Sequence, residues 1–126
     1  MPSVAIVGAG ADRRKFGNKS VRAHLAAGWQ VFPVHPTEVI VEGQKAYRSV
    51  AEIPLDQLDR ISVYLPPSVG VTVVATFLQK IVGEVWLNPG AESPEVVAKA
   101  KSLGLNVTLG CSIIDVGYSP SQFGDA

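Results

Sequence analysis

Five short apolar runs rich in β-branched residues recur along the chain, at residues 4–7, 31–34, 61–65, 85–87 and 107–109. They lack the alternation of apolar and polar residues that marks a strand with one solvated face, so they predict strands buried on both faces. The segments between several of the runs carry helix signals. The pattern therefore predicts an α/β fold with three layers, in which a doubly wound, parallel, five-stranded sheet is covered by helices on both faces.

The clearest helix pattern covers residues 94–103. Ser93 suits the capping position, Pro94 suits the first helical position, and Gly104 suits the left-handed residue that ends a helix. A second helix is predicted over residues 18–27, where Gly28 ends the pattern.

Two further segments carry weaker signals. Residues 68–82 keep helical spacing of apolar positions, although Gly70 and several β-branched residues lower the helix propensity, and a strand is the alternative. Residues 37–60 predict a small excursion, with a turn at Glu42 and Gly43 and a short helix that begins at the capping-box pattern of residues 49–52.

Composition indicates one folded domain over residues 1–126, with residues 115–126 expected as an extended tail. Of the 126 residues, 47% are hydrophobic and only 17% are charged, which is unlike a disordered chain. The formal net charge of zero favours neither a nucleic acid nor a membrane as partner. The single cysteine, Cys111, excludes an internal disulfide framework, and no signal peptide or span-length apolar stretch is present, so a cytoplasmic location is expected.

Turn residues follow four of the five predicted strands. In an open parallel sheet these carboxyl ends share one edge, and ligands bind in the crevice above it. Glycine and proline also punctuate any α/β protein, so each turn taken alone is more simply explained as structural. Together they predict the binding site at this edge.

The first of these turns, Gly8-Ala9-Gly10, has the character of a phosphate-binding loop, because glycines let the backbone approach an anion and a helix follows. The dinucleotide fingerprint places a third Gly or Ala three residues after the second, where this chain has Arg13. Helix entry is expected near Asn18, which predicts a longer loop over residues 8–17.

The second predicted strand ends in Val34-His35-Pro36, so the acid that binds the ribose in NAD-dependent proteins is missing there. Five of the eleven basic residues fall within ten positions, with no acid among them: Arg13, Arg14, Lys15, Lys19 and Arg22. Cations at a helix start oppose its dipole, which suggests a strongly anionic ligand, although a solvated helix start is the simpler explanation. Coenzyme A (CoA) fits, because it carries a diphosphate and a phosphomonoester.

The ordered motifs of this chain resemble those of the small stand-alone CoA-binding proteins, which are related to the CoA-binding domain of succinyl-CoA synthetase. The similarity covers nearly all of residues 3–111. It lies in the segments VGAG at 7–10, KFGN at 15–18, VFPVHP at 31–36, YRSVAEIP at 47–54, LPP at 65–67 and VWLNPG at 85–90.

The resemblance implies a Rossmann-like fold and a CoA or acyl-CoA site at the sheet edge. It implies that the first loop and the turn after the second strand bind the phosphates and ribose, and that the later prolines border the adenine and pantetheine. The expected site residues are Gly8, Ala9, Gly10, Arg13, Lys15, Phe16, Gly17, Asn18, Val34, His35, Pro36, Leu65, Pro66, Pro67, Val71, Pro89 and Gly90.

The sequence offers few groups for catalysis. His24 is expected at the surface or boundary of a helix, His35 is expected as a ligand contact, and Cys111 is expected as a small buried hydrophobe. No metal-ligand spacing occurs.

Three hypotheses remain. The chain is a non-catalytic CoA or acyl-CoA binder that acts as carrier, sensor or accessory module, the NAD(P)-binding domain of a multi-chain oxidoreductase, or a structural interaction protein. We expect a small-molecule nucleotide as ligand, and a monomer or homodimer.

Overall fold

The structure is a computed structural model that describes residues 1–126. Its centre is a sheet of five parallel strands: β1 (Ser3–Val7), β2 (Gln30–Val34), β5 (Gln57–Val63), β6 (Ile81–Leu87) and β7 (Val107–Leu109). Two short strands between β2 and β5 form a separate hairpin, and the five strands lie across the sheet in the order β2-β1-β5-β6-β7. The predicted α/β, doubly wound, Rossmann-like fold is confirmed. From β1 the chain adds β2 on one side of the sheet and then β5, β6 and β7 on the other side. The boundary between β1 and β5 is therefore the topological switch point, where folds of this kind bind ligands.

Side chains of β1 pack into two cores, one on each face of the sheet. Val4 and Ile6 belong to the core under helix α1 (Phe16–Ala26), whereas Ala5 and Val7 belong to the larger core under the helices of the opposite face. Those helices are α2 (Pro67–Val73) and α3 (Pro94–Ser102). The continuous apolar run of β1 therefore reflects burial on both faces.

The helix predictions are correct in kind, and two need corrected bounds. In α3 the Ser93 hydroxyl accepts the Val96 amide at 3.2 Å, and Gly104 has φ of +80°, as predicted. The predicted start of α1 at Asn18 is wrong, because Phe16 and Gly17 already form its first turn. The first loop therefore ends at Lys15.

The prediction of one helix over residues 68–82 is wrong at its C-terminal end. Helix α2 stops at Val73, a 3₁₀ segment covers Val74–Gln79, and β6 begins at Ile81. Ile81 and Val82 pair with β5, and this pairing outweighs the weak helical preference of β-branched residues.

The predicted excursion is a small hairpin of β3 (Ile40–Val41) and β4 (Gln44–Lys45). Glu42 and Gly43 both have positive φ, as a tight hairpin turn requires, so the predicted turn is confirmed. The helix predicted after it is a 3₁₀ turn at Val50–Glu52 without a side-chain cap.

The segment after β7 folds back onto the domain. It contains α4 (Ser112–Asp115) and a 3₁₀ turn at Pro120–Gln122, and it packs against α1. Asp125 forms an ion pair with Lys19 at 2.8 Å, and the Phe123 ring lies 5.8 Å from the Arg22 guanidinium. An ion pair and a cation–π contact from basic residues of α1 therefore hold this segment against the domain.

A buried arginine connects α4 to the sheet. Arg60 on β5 is 4% exposed, and its guanidinium lies between the rings of Trp29 and Trp86, at 4.6 and 4.7 Å from their centroids. It forms ion pairs with Glu84 at 2.6 Å and Asp115 at 2.5 Å. The guanidinium is thus stacked against both rings and paired with two carboxylates, which lets its charge lie between sheet and helix.

No helix of this fold combines the length and the apolarity that a membrane crossing would need; the longest, α1, has 11 residues.

Candidate functional site

Two adjoining cavities open at the carboxyl edge of the sheet, where the predicted site lies. The larger, of about 690 Å³, contains residues from the first loop and from the ends of β2, β5 and β6. The smaller, of about 280 Å³, lies between the ends of β1 and β2 and the helix α2. Both are lined by Gly8, His35, Pro36 and Leu65, so together they form one elongated depression across the switch point.

Most of the predicted site residues line these cavities. The larger cavity is lined by Gly8, Gly10, Lys15, Phe16, Gly17, His35, Pro36, Leu65, Pro66, Pro67, Pro89 and Gly90, and the smaller is lined by Val34 as well. Ala9 and Asn18 are fully buried beneath the first loop. Arg13 and Val71 line neither cavity: the Arg13 side chain pairs with Glu42, and Val71 packs against the larger core. Ligand contact remains a prediction for these two residues, as it does for the others.

Glycines let the first loop pack tightly against its neighbours. Gly8 has φ of +94°, and a Cβ there would lie 3.1 Å from the Tyr64 carbonyl. A Cβ on Gly17 would lie only 2.4 Å from the carbonyl oxygen of Gly8. Close packing of helix on loop is the task of the third glycine in the dinucleotide fingerprint. Gly17 does this here, four residues beyond the expected position that Arg13 occupies.

The start of α1 provides unpaired hydrogen-bond donors. The amides of Phe16, Gly17 and Asn18 make no hydrogen bond within the chain, and the N-cap residue Lys15 makes no side-chain cap. The Asn18 side chain donates to the carbonyl oxygen of Gly10 at 2.9 Å, so it holds the loop against the helix start. Free amides and the positive end of the helix dipole favour an anion at this position.

His35 presents a donor to the first loop. Its Nδ1 accepts hydrogen bonds from the amides of Thr37 and Glu38, both at 3.1 Å. Because Nδ1 is an acceptor, the proton of the neutral ring is on Nε2. This nitrogen faces Gly10, whose hypothetical Cβ would lie 3.2 Å from it. His35 is therefore arranged to donate a hydrogen bond at the cavity rather than to accept a proton there.

The basic cluster predicted to face an anionic ligand is mostly neutralised within the chain. Arg13 pairs with Glu42 at 3.2 Å, Arg14 pairs with Asp12 at 2.9 Å, and Lys19 pairs with Asp125. Hydrogen bonds from Arg14 lower the pKa of Asp12 to about 2, and Lys19 likewise lowers the pKa of Asp125.

Arg22 donates to the Asn18 side chain at 2.9 Å and to the Arg13 carbonyl at 2.8 Å, so it too is occupied. Of the five basic residues, only Lys15 lines the larger cavity, and it has no carboxylate partner. Four of the five basic residues therefore already have partners within the chain, and their contact with an anionic ligand remains a prediction.

Sequence reasoning missed six polar residues of the two cavities. Asp12, Glu38 and Tyr64 line the larger cavity, and Arg48, Ser49 and Thr76 line the smaller. Tyr64 directly precedes the Leu-Pro-Pro turn, and Arg48 lies within a motif that the sequence had singled out, so position offered a signal for both. Burial raises the pKa of Tyr64, whose hydroxyl lies 3.2 Å from that of Ser112. Its side chain packs against the core under α1.

The candidate catalytic residues are not assembled into a catalytic unit. His24 was expected at the surface or boundary but is fully buried, and burial lowers its pKa to about 4. Its Nδ1 donates to the Ser20 carbonyl oxygen at 2.8 Å. Cys111 is half-buried before α4 and lines neither cavity. No group of three His, Cys, Asp or Glu side chains is arranged to hold a metal ion.

Fold and site together define a Rossmann-like α/β domain in which a helix start with unpaired amides borders an elongated cavity at the sheet edge. A family model described as CoA binding domain matches residues 2–116. The chain belongs to this family, which confirms the resemblance recognised in its motifs. No curated protein matches the chain.

Solved structures share the fold. A conserved hypothetical protein from Pyrococcus furiosus is 33% identical with a TM-score of 0.82, over 91% of this chain and 99% of that one. A hypothetical protein from Pyrococcus horikoshii OT3 is 26% identical with a TM-score of 0.81, over 90% and 79% of the two chains.

A larger enzyme contains a similar domain. The dinucleotide-forming acetyl-coenzyme A synthetase 1 of Ca. Korarchaeum cryptofilum, solved with phosphate and ADP, is 27% identical with a TM-score of 0.72. The match covers 83% of this chain but 25% of the synthetase. This chain therefore resembles one domain of that protein.

Proposed function

We propose that this chain binds CoA or an acyl-CoA at the carboxyl edge of its sheet, as a carrier, sensor or accessory module without catalysis of its own. The observation that carries the proposal is the start of α1, where Phe16 and Gly17, whose amides are unpaired, and Lys15, which has no carboxylate partner, line a cavity of about 690 Å³. Membership of the CoA binding domain family supports CoA as the anionic ligand.

The shape of the depression fits the parts of CoA. The smaller cavity is lined largely by apolar groups, among them Val34, Val50 and Val73, and it suits a flat adenine ring. The amides of α1 would bind the diphosphate, and His35 would donate from Nε2 to a phosphate or ribose oxygen. The larger cavity continues past Pro66 to Pro89 and Gly90, which would border the pantetheine.

The absence of catalysis is proposed from the state of the candidate bases. A general base needs a free acceptor within reach of its substrate. In His35 the acceptor nitrogen is occupied by two backbone amides, and the nitrogen that faces the loop carries the proton. His24 is fully buried, with its ring between the Ser20 carbonyl oxygen and the Arg60 guanidinium of β5, and it lines neither cavity.

One observation favours the alternative of an NAD(P)-binding domain. Glu38 lines the larger cavity four residues after β2, so a carboxylate is present near the site where dinucleotide proteins bind the ribose hydroxyls. It follows the strand later than in those proteins, and His35 and Pro36 take the positions directly at the strand end.

Titration calorimetry of the purified chain with CoA, acetyl-CoA and NAD at one moderate salt concentration tests the proposal. We expect CoA to bind more tightly than NAD and to raise the melting temperature by mass action. NAD binding as tight as that of CoA would contradict it. Free thiol release from acetyl-CoA and longer acyl-CoAs is expected to stay at the rate of the buffer control, and multiple turnover that disappears in His35→Ala would refute the non-catalytic role.

A further inference from the structure

Arg48 is a cation of the smaller cavity that no carboxylate neutralises. It lines that cavity beside Ser49, and its side chain is exposed. Of the five arginines, Arg13, Arg14 and Arg60 form ion pairs, whereas Arg48 forms none. Its charge is therefore available to a ligand.

The Arg48 side chain is held at the end of β2. One of its terminal guanidinium nitrogens, Nη1, donates to the Pro36 carbonyl oxygen, and Pro36 follows His35 directly after the strand. Its backbone amide donates to the Glu52 carboxylate at 3.0 Å, which fixes the residue at the start of the 3₁₀ turn. The Nε and Nη2 donors of the guanidinium make no hydrogen bond in the chain, so they can form a planar, two-pronged contact.

The end of the second strand is where this class of fold distinguishes nucleotide riboses. An acid at that position binds free ribose hydroxyls, whereas a nearby arginine accommodates a phosphate on the ribose. This chain has His35 and Pro36 at the strand end and an arginine against them. Glu38 lines the larger cavity and not the smaller one, and its negative charge would disfavour a phosphate in the larger cavity near it.

We propose that Arg48 binds a phosphomonoester on the ribose of the nucleotide and so selects CoA over dephospho-CoA; this inference rests on the proposed function. The phosphate carries close to two negative charges at neutral pH and three acceptor oxygens, which match the free donors of the guanidinium. The cations of the first loop and α1 are less suited to this phosphate, because most of them are paired with carboxylates of the chain. Lys15 is left to the diphosphate at the start of α1.

The test is a set of titrations with two pairs of ligands that each differ by one phosphate. CoA and dephospho-CoA differ at the ribose 3′ position, and NADP⁺ and NAD⁺ differ at the 2′ position. The proteins are wild type, Arg48→Ala, Arg48→Lys and the control Lys99→Ala, which removes one exposed positive charge from α3. Far-UV circular dichroism and melting curves establish that each variant is folded.

We expect Arg48→Ala to weaken CoA binding roughly tenfold or more, because hydrogen bonds between charged groups are the strong class. Dephospho-CoA binding should change by less than about twofold, and Lys99→Ala should behave as wild type with both ligands, because salt screens a remote surface charge. Arg48→Lys should retain part of the preference, since it keeps the charge but loses the planar fork.

If Arg48→Ala weakens the binding of CoA and of dephospho-CoA equally, the inference about Arg48 is wrong, but the proposed function of the chain as a CoA binder stands. A dependence on Arg48 confined to the NADP⁺ and NAD⁺ pair would overturn it in favour of a 2′-phosphate ligand. A wild-type chain that binds neither CoA nor dephospho-CoA would overturn the proposed function, and this inference with it.

Discussion

Replacing Gly17 by alanine tests whether the close contact of α1 with the first loop holds the anion site together. A Cβ at this position would lie 2.4 Å from the carbonyl oxygen of Gly8, whereas carbon and carbonyl oxygen normally meet at about 3.3–3.6 Å. The obstructing atoms belong to the backbone and cannot rotate away. The helix start must therefore move by roughly 1 Å, which is the distance by which the contact falls short.

The same substitution at Gly70 is a matched control. Gly70 is also a buried glycine within a helix, α2, but a Cβ there would meet only Val96 side-chain atoms, at 3.9 Å. Gly70→Ala should raise the free energy of unfolding by about 0.5–1 kcal/mol, because alanine loses less backbone entropy on folding. Gly17→Ala gains a similar amount but carries an overpacking cost of about 2–3 kcal/mol, the upper part of the usual range.

We therefore expect Gly17→Ala to be destabilised by about 1–2 kcal/mol and to differ from Gly70→Ala by roughly 2 kcal/mol or more, about 8 °C in melting temperature for a domain of this size. Urea unfolding followed by circular dichroism measures the difference, and calorimetry with CoA measures the accompanying loss of affinity as the helix amides move. Equal stability and equal affinity of the two variants would refute the reasoning.

Three further outcomes follow from buried and paired groups. Burial lowers the pKa of His24 to about 4 in the folded chain, from about 6.5 when unfolded, so the unfolded state binds more protons between these pH values. The free energy of unfolding, measured by urea denaturation, should therefore fall by roughly 2–3 kcal/mol from pH 7 to pH 4.5. His24→Gln should reduce this dependence on pH. Arg60→Ala should lower the free energy of unfolding by about 2–4 kcal/mol in the same assay, because it leaves two carboxylates unpaired. Arg14→Ala breaks an exposed ion pair and should change the free energy of unfolding by no more than about 0.5 kcal/mol. Similar losses in the two variants would contradict the assignment of a buried network. Lys15→Ala should weaken CoA binding by about tenfold, because Lys15 lines the larger cavity. Arg13→Ala should change the affinity by no more than about threefold, because Arg13 is paired with Glu42. A larger loss for Arg13→Ala than for Lys15→Ala in calorimetry would contradict this order and indicate that Arg13 contacts the ligand.

The neutralised basic cluster illustrates how a sequence pattern and a binding surface can differ. Five cations in ten positions suggested one anion site because no acid lies among them. Their partners come from elsewhere: Asp12 lies just before the cluster, Glu42 lies on the hairpin turn, and Asp125 lies in the segment after α4. The positive charge that remains at the cavities is smaller, and it is divided between Lys15 and Arg48.

Features that depend on neighbours in the sequence could be predicted from the sequence. The strands of the buried sheet follow from continuous β-branched runs, and the bounds of α3 follow from Ser93 and Gly104, whose conformations are set within one helical turn. The site could be located at the sheet edge for the same reason, since turn residues mark the strand ends and parallel strands place those ends together.

Features that depend on contacts across the fold were decided only by the tertiary structure. The weak helical preference at Ile81 and Val82 is overcome by pairing with β5. Their partners, Gln57 and Leu58, lie more than twenty positions earlier in the chain. Which cations face the cavity depends on acids that arrive from distant segments, and the proton position on His35 depends on the fold of its turn. A linear pattern records which groups are available, but charge pairing and hydrogen bonding act over a few ångströms, and only folding determines which groups come that close.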